Sequence, residues 1–239
     1  MNNIWGGVQL FLCLFIFNST ILFSQSVTEI INHNVYDDLV GLENTGIYNG
    51  SEFKDEYPNA LGVSRFFNQN SFLNGTIVYD GQLYTKVPLE YDILSDNVLT
   101  KSNDYLNNFI VQLIPEHISN FTINGHDFVK LRDSKLSLND DGFYEIASLG
   151  NPFKLYIKHV RSEKERTIDL AVRHILSSEN YYIVNHNGAY HTIHSIKDLK
   201  QVIPDRYKEI QKFRKDNRSI YRSDMNGFMI QLVEYLNGN

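Results

Sequence analysis

The chain has 239 residues, 42% hydrophobic and 21% charged, with a net charge of −6. This suits one medium globular domain with at most a small appendage, and argues against disorder. The negative balance supplies no basic footprint for nucleic acid, whose phosphates need one.

The first two dozen residues differ in kind. No charged residue occurs from Met1 to Gln25, and Val8–Phe23 is an apolar run followed by Ser24-Gln25-Ser26. This reads as an export signal cut near Ser24 or Gln25, although no Lys or Arg precedes the run. An uncleaved anchor over Ile4–Phe23 is the alternative, and with it the only membrane contact that the sequence suggests. The single cysteine, Cys13, lies inside this segment. Cleavage would therefore leave a mature chain without disulfides, thiol chemistry or cysteine-bound zinc. Residues 25–65 read as a lead-in, with a short amphipathic helix through Ile30, Ile31, Val35, Leu39 and Val40, ended by Gly41.

Residues 66–194 read as short strands separated by turn chemistry. Thr76–Tyr79 and Leu83–Val87 flank Asp80-Gly81, a pair that accepts the positive φ angles of a tight hairpin. Glu90–Leu94 and Val98–Lys101 flank Ser95-Asp96-Asn97, and Pro88 marks a strand end, edge or bend before them. Strands are expected over Phe109–Ile114, Ile118–Ile123, Phe128–Leu131, Phe143–Ala147 and Phe153–Val160. Thr167–Val172 reads as a further strand of the same sheet, and Tyr181–Val184 pairs with Tyr190–Ile193 around Asn185–Gly188. Regular short turns imply antiparallel neighbours, because parallel ones need long crossovers. The fold class is α+β: an antiparallel β-meander (bent sheet, sandwich or open barrel) with C-terminal helices packed on it.

Residues 195–239 switch to helical period. Ser195 has the place of an N-cap with acidic Asp198 three residues on, and Pro204 suits a helix start. Ser223 is placed to cap a last helix carrying Met225, Phe228, Met229, Leu232, Val233 and Leu236 on one stripe. Thirteen Lys/Arg face eight Asp/Glu in Arg161–Arg222, against nine and eighteen in Ser26–Val160. The asymmetry could hold helices to the sheet or offer a basic helical face to a partner; Lys208–Arg218 reads as a solvated face.

Histidine, carboxylate and nucleophile patterns bear on chemistry in turn. His186, His191 and His194 fall close together, but an extended strand turns His191 and a residue three further on to opposite faces. The turn acids Asp92, Asp96, Asp140 and Asp141 have the residue type of glycoside hydrolysis or calcium binding, yet Asp in turns has a plain backbone-capping role. No Gly-x-Ser-x-Gly elbow, phosphate loop or dinucleotide fingerprint occurs. No catalytic, cofactor-binding or metal residues and no cofactor are expected. The Asn-x-Ser/Thr triplets at Asn49, Asn74, Asn120 and Asn217 are given no role.

The residues Gly75, Thr76, Tyr79, Asp80, Gly81, Tyr84, Val87, Pro88, Leu89, Tyr91 and Asp92 follow a pattern. It is Gly-Ser/Thr-x-x-Tyr-Asp/Asn-Gly-x-x-Tyr-x-x-Val-Pro-Leu-x-Tyr-Asp, and through it the chain resembles a group of uncharacterised exported proteins of Bacteroidetes-type bacteria. The similarity extends to Tyr48–Phe53, Gly142–Glu145 and Tyr181–Asp205. It implies export to the envelope and no particular activity. The expected function is a non-enzymatic binding or assembly module whose partner is an envelope protein. The alternatives are a periplasmic carrier of an apolar ligand or lipid and, with least support, a carbohydrate-active enzyme.

Overall fold

The computed structural model describes residues 45–68, 70–101, 109–131 and 141–238. The N-terminal segment, the amphipathic helix expected before Gly41, and Asp140 lie outside them. The chain divides into two units, Met1–Ile47 and Tyr48–Asn239. The second contains every strand and α-helix named below.

Among the described residues fourteen strands run in chain order. They are β1 (Gly50–Glu52), β2 (Leu61–Gly62), β3 (Leu73–Tyr79), β4 (Gln82–Asp92), β5 (Asn97–Lys101), β6 (Ile110–Leu113) and β7 (Ile118–Ile123). Then come β8 (His126–Leu131), β9 (Gly142–Leu149), β10 (Phe153–Lys158), β11 (Arg161–Ile168), β12 (Ala171–Ser178), β13 (Tyr181–His186) and β14 (Ala189–Ile193). Eleven of them form one sheet in the order β1-β6-β5-β4-β3-β7-β8-β9-β10-β13-β14, and β11-β12-β2 form a second. The large sheet is antiparallel, as expected, but three of its neighbouring pairs, β1-β6, β3-β7 and β10-β13, are not consecutive in the chain. After β6 the chain returns through Ile114–His117 to place β7 beside β3.

That short return is possible because the sheet curls. Tyr91 of β4 touches Phe128 of β8 at 5.1 Å and Phe143 of β9 at 6.2 Å, ring centre to ring centre. Four strand spacings separate β4 from β9 in the sheet, about 19 Å if it were flat. The curl is filled by rings: Phe121 stacks on Phe128 at 4.7 Å, and Phe67 closes edge-on over Phe128 at 5.0 Å. The sheet remains open, with β1 and β14 as its edges.

Turn chemistry sets the hairpins. Asp80-Gly81, Asn124-Gly125 and Asn187-Gly188 all take positive φ at both residues, which only a small or glycine-containing pair adopts without strain. Gly75 is needed for a different reason, since a Cβ there would run into the Thr122 carbonyl oxygen of the neighbouring strand.

Several expectations are corrected. Of the readings open for Pro88, the strand end fails and a bend close by is found: β4 runs unbroken from Gln82 to Asp92, bent at Lys86, a bulge with φ of 54°. The ladder to β5 begins only at Leu89, so the missing N–H of Pro88 falls just outside it. Thr167–Val172 is not a strand of the large sheet; Asp169-Leu170 is the turn of the β11–β12 hairpin in the second sheet. Strands β1 and β2 arise within the expected lead-in, where segments of three and two residues are too short to show alternation.

The C-terminus is helical: α1 (Leu199–Val202), α2 (Tyr207–Asp216), α3 (Arg218–Ser223) and α4 (Met225–Asn237). Asp198 accepts from the backbone N–H of His194 and Ser195 at 3.0 and 2.7 Å, the acidic half of the expected capping box. The cap of α4 is Asp224, whose carboxylate accepts from Gly227 N at 2.9 Å; Ser223 instead donates to Ser219 O. The stripe Phe228, Met229, Leu232, Val233 and Leu236 is buried against Phe153, Leu155 and Ile157 of β10 and Tyr182 and Val184 of β13. Burying five such side chains gives about 2 kcal/mol each, which fixes the helices on this face.

Candidate functional site

Sequence places Tyr91, Asp92 and Asp96 around one tight turn, and the curl carries that turn over β9 and β10. Arg65 inserts here between Asp55 and Asp92, forming a two-pronged bond with the latter. Asp92, wholly buried, also accepts from Ser95 Oγ at 2.5 Å and Leu94 N at 3.1 Å. Its carboxylate is thus saturated by one cation and two turn donors. Glu90, two residues back on the same side of β4, is less well served. Its Oε1 is buried without a hydrogen-bond partner among the described residues. Burial, and then the nearby Asp92 charge, push its carboxyl up to about 7.

Asp96 turns the other way. It accepts from the Tyr91 hydroxyl at 2.5 Å, Lys158 Nζ at 2.7 Å and Phe143 N at 3.3 Å. It therefore joins β4, β9 and β10 across the curl. Burial, then the Asp96 charge, raises the Tyr91 hydroxyl well above its usual range. A third group forms at the mouth, where Glu145 bonds His126 Nδ1 and His159 Nε2, each at 2.6 Å. Burial pushes the Glu145 carboxyl up, but the bonds from His159 and His126 outweigh it and hold it below its ordinary value. The Phe67 ring lies 5.0 Å from both imidazoles.

These groups lock the curl: Asp96 and Glu145 each tie together segments distant in the chain, Asp92 ties Arg65 to the β4 turn, and of these carboxylates only Glu90 is left with an unpaired oxygen among the described residues. Asp92 and Asp96 belong to separate networks, not to an opposed acid pair. Asp141 lies instead beside Asp96, Glu116 and Lys130 in an open cleft of about 380 Å³. The three clustered histidines diverge. His186 stacks on Phe153 at 4.6 Å, His194 rests on Tyr181 at 5.7 Å, and His191 stands opposite Val184 in the β13–β14 ladder. Among the described residues no group of three or more His, Cys, Asp or Glu side chains is placed to hold a metal ion.

The basic stretch of α2 and α3 forms a second shallow cleft of about 360 Å³, lined by Arg214, Lys215, Arg218, Tyr221 and Arg222. Arg214 lies over the Tyr221 ring at 4.4 Å.

The feature that sequence reasoning missed is the β11–β12 hairpin. Its base is held: β12 pairs with β2 at Ile175 and Leu176, and Arg161 donates to Ser64 O at 2.8 Å and Ser178 Oγ at 2.9 Å. Beyond Glu163, which bonds His174 at 2.7 Å, the hairpin extends as an arm exposed on both faces. Leu170 at its tip is 101% exposed, Val172 62% and Ile168 36%. The sequence signal was present but inverted. A ladder rich in Arg, Glu and Lys lacks apolar alternation, and Asp-Leu stands where the other hairpins have Asp-Gly or Asn-Gly.

Comparison of the chain with family models, curated proteins and solved structures gave no match.

Proposed function

We propose that this chain is an exported cell-envelope protein that acts by binding, a non-enzymatic assembly module. The observation that carries the reading is the arm, a two-stranded projection whose anchored base and apolar tip suit contact with another body. Charge-laden strands with a bare leucine at the turn add nothing to the core, so the core does not account for them. The uncharged apolar start of the chain and the resemblance of Gly75–Asp92 to exported proteins support the envelope as the place.

The ring-filled curl favours this reading over a carrier of an apolar ligand, since Phe121, Phe128, Phe143 and Tyr91 occupy the space such a ligand would need. The saturated state of Asp92 and Asp96 likewise favours it over glycoside hydrolysis, which needs a free acid facing a carboxylate.

The test is capture in the native envelope with the full chain and with a chain whose arm is shortened by removing Lys164–Arg173 in favour of a two-residue turn. Arm-dependent association with the envelope fraction is expected. Equal association of the two chains, or none of either, overturns the reading.

A further inference from the structure

Among the described residues four tight hairpins have positive φ at both turn residues. Three end in glycine; the fourth places Leu170 at φ of 62° after Asp169 at 51°. A branched residue in this left-handed region is strained, and strain that persists at an exposed turn points to use. The strain also gains no burial, because the side chain stands free of the protein.

The register below the tip is informative. Ile168 stands opposite Ala171, Thr167 opposite Val172, and Arg166 opposite Arg173. Two arginines directly facing each other repel, yet they lie on the exposed part of the arm. Lys164 shares their face, since side chains two apart in a strand point the same way. The opposing charges are Asp169 in the turn, and Glu163 and Glu165 on the other face, of which Glu163 is held by His174.

Tip-first, the order is therefore a cap of Leu170, Ile168 and Val172 with Asp169 beside the leucine in the turn, and then a pair of arginines. The step from Leu170 to Arg173 is about 10 Å of strand. That depth matches an apolar element seated at the boundary of headgroups and acyl chains, with cations level with the phosphates. We infer that the β11–β12 arm docks tip-first on an anionic phospholipid surface, Leu170 entering the acyl boundary while Arg166 and Arg173 take lipid phosphates. Net negative surface charge draws the two guanidinium groups to the lipid phosphates and offsets their repulsion, which a zwitterionic surface, whose phosphates are balanced by choline, does far less. This gives the protein a membrane contact separate from its N-terminal segment, and it rests on the binding-module reading.

The test uses the full chain with Trp5→Phe and Leu170→Trp, so that the only indole sits at the tip. The probe is vesicles of equimolar phosphatidylglycerol and phosphatidylcholine with brominated acyl chains. A blue-shifted indole quenched by the bromolipid is expected, weakened by salt and absent on pure phosphatidylcholine. Unchanged emission on the anionic vesicles overturns the inference.

Two variants separate docking from folding. Arg166→Gln with Arg173→Gln lowers partitioning by about tenfold or more. Leu170→Gly lowers it about tenfold while relieving the turn and raising thermal stability. Loss of partitioning with loss of stability in Leu170→Gly would make the leucine structural and overturn the assignment. If arm-dependent envelope capture persists while vesicles are not bound, the membrane inference fails and the binding-module reading stands, with a protein as the partner. If neither depends on the arm, both fail.

Discussion

Arg166 and Arg173 stand directly opposite each other in the β11–β12 ladder, both exposed to water. Like charges at this spacing destabilise a sheet, and a chain selected for stability alone would carry a pair of opposite sign.

Replacing Arg173 with Glu creates that opposite-sign pair. Arg173→Glu should therefore raise the unfolding free energy by about 0.5 kcal/mol in low salt, an effect that shrinks in high salt. Denaturant titration at two ionic strengths checks this, and a loss of stability would mean that the ladder register is not as described.

The turn residues can be exchanged in both directions. A Cβ at Gly125 meets nothing within 4 Å, so Gly125→Leu tests backbone strain alone. It should cost about 1–2 kcal/mol, and Leu170→Gly should return a similar amount. Thermal unfolding of the two variants should move in opposite directions.

The Glu145 carboxyl is held below its ordinary 4.5, so the folded chain takes up this proton less readily than the unfolded one. The resulting stabilisation is present above pH 4.5 and is lost as pH falls through the lowered folded value. Glu145→Gln should destabilise the protein by about 2 kcal/mol at pH 7, because it removes the charged acceptor shared by His126 and His159. The gap from the parent should narrow towards pH 3. A pH series of melting curves for both proteins decides it.

Glu90 behaves in the opposite sense. Its folded value of about 7 lies above the ordinary 4.5, so its contribution is full below pH 4.5 and lost as pH rises through 7. Glu90→Gln keeps the shape and removes the charge. It should melt higher than the parent at pH 8, by on the order of 3 °C, and close to it at pH 4. A lower melting point at pH 8 would show that the ionised carboxylate is satisfied.

Much of the large sheet could be read from the chain because its local signals agree. Asp80-Gly81 and Asn124-Gly125 announce their hairpins, and Phe153, Leu155 and Ile157 alternate as one buried face demands. The C-terminal stripe was legible for the same reason. What sequence hid was long-range: nothing local says that Tyr91 will meet Phe143, or that Asp96 will pair with Lys158 sixty-two residues on. Pro88 signalled the bend but not its setting, because the Lys86 bulge and the late start of the β5 ladder together accommodate it inside a strand. The arm was obscured by its own chemistry, since an exposed hairpin with leucine at the left-handed turn position breaks the rules that reveal other hairpins.

The most direct test of the arm as contact element is photo-crosslinking in the native envelope, with a benzophenone side chain at position 170 or at position 149. Leu149, 68% exposed at the end of β9, is the matched control on the large sheet. The account predicts strong adducts from position 170, with lipid or a bound protein, and few from position 149. Equal yields at the two positions, or none at 170, would contradict it.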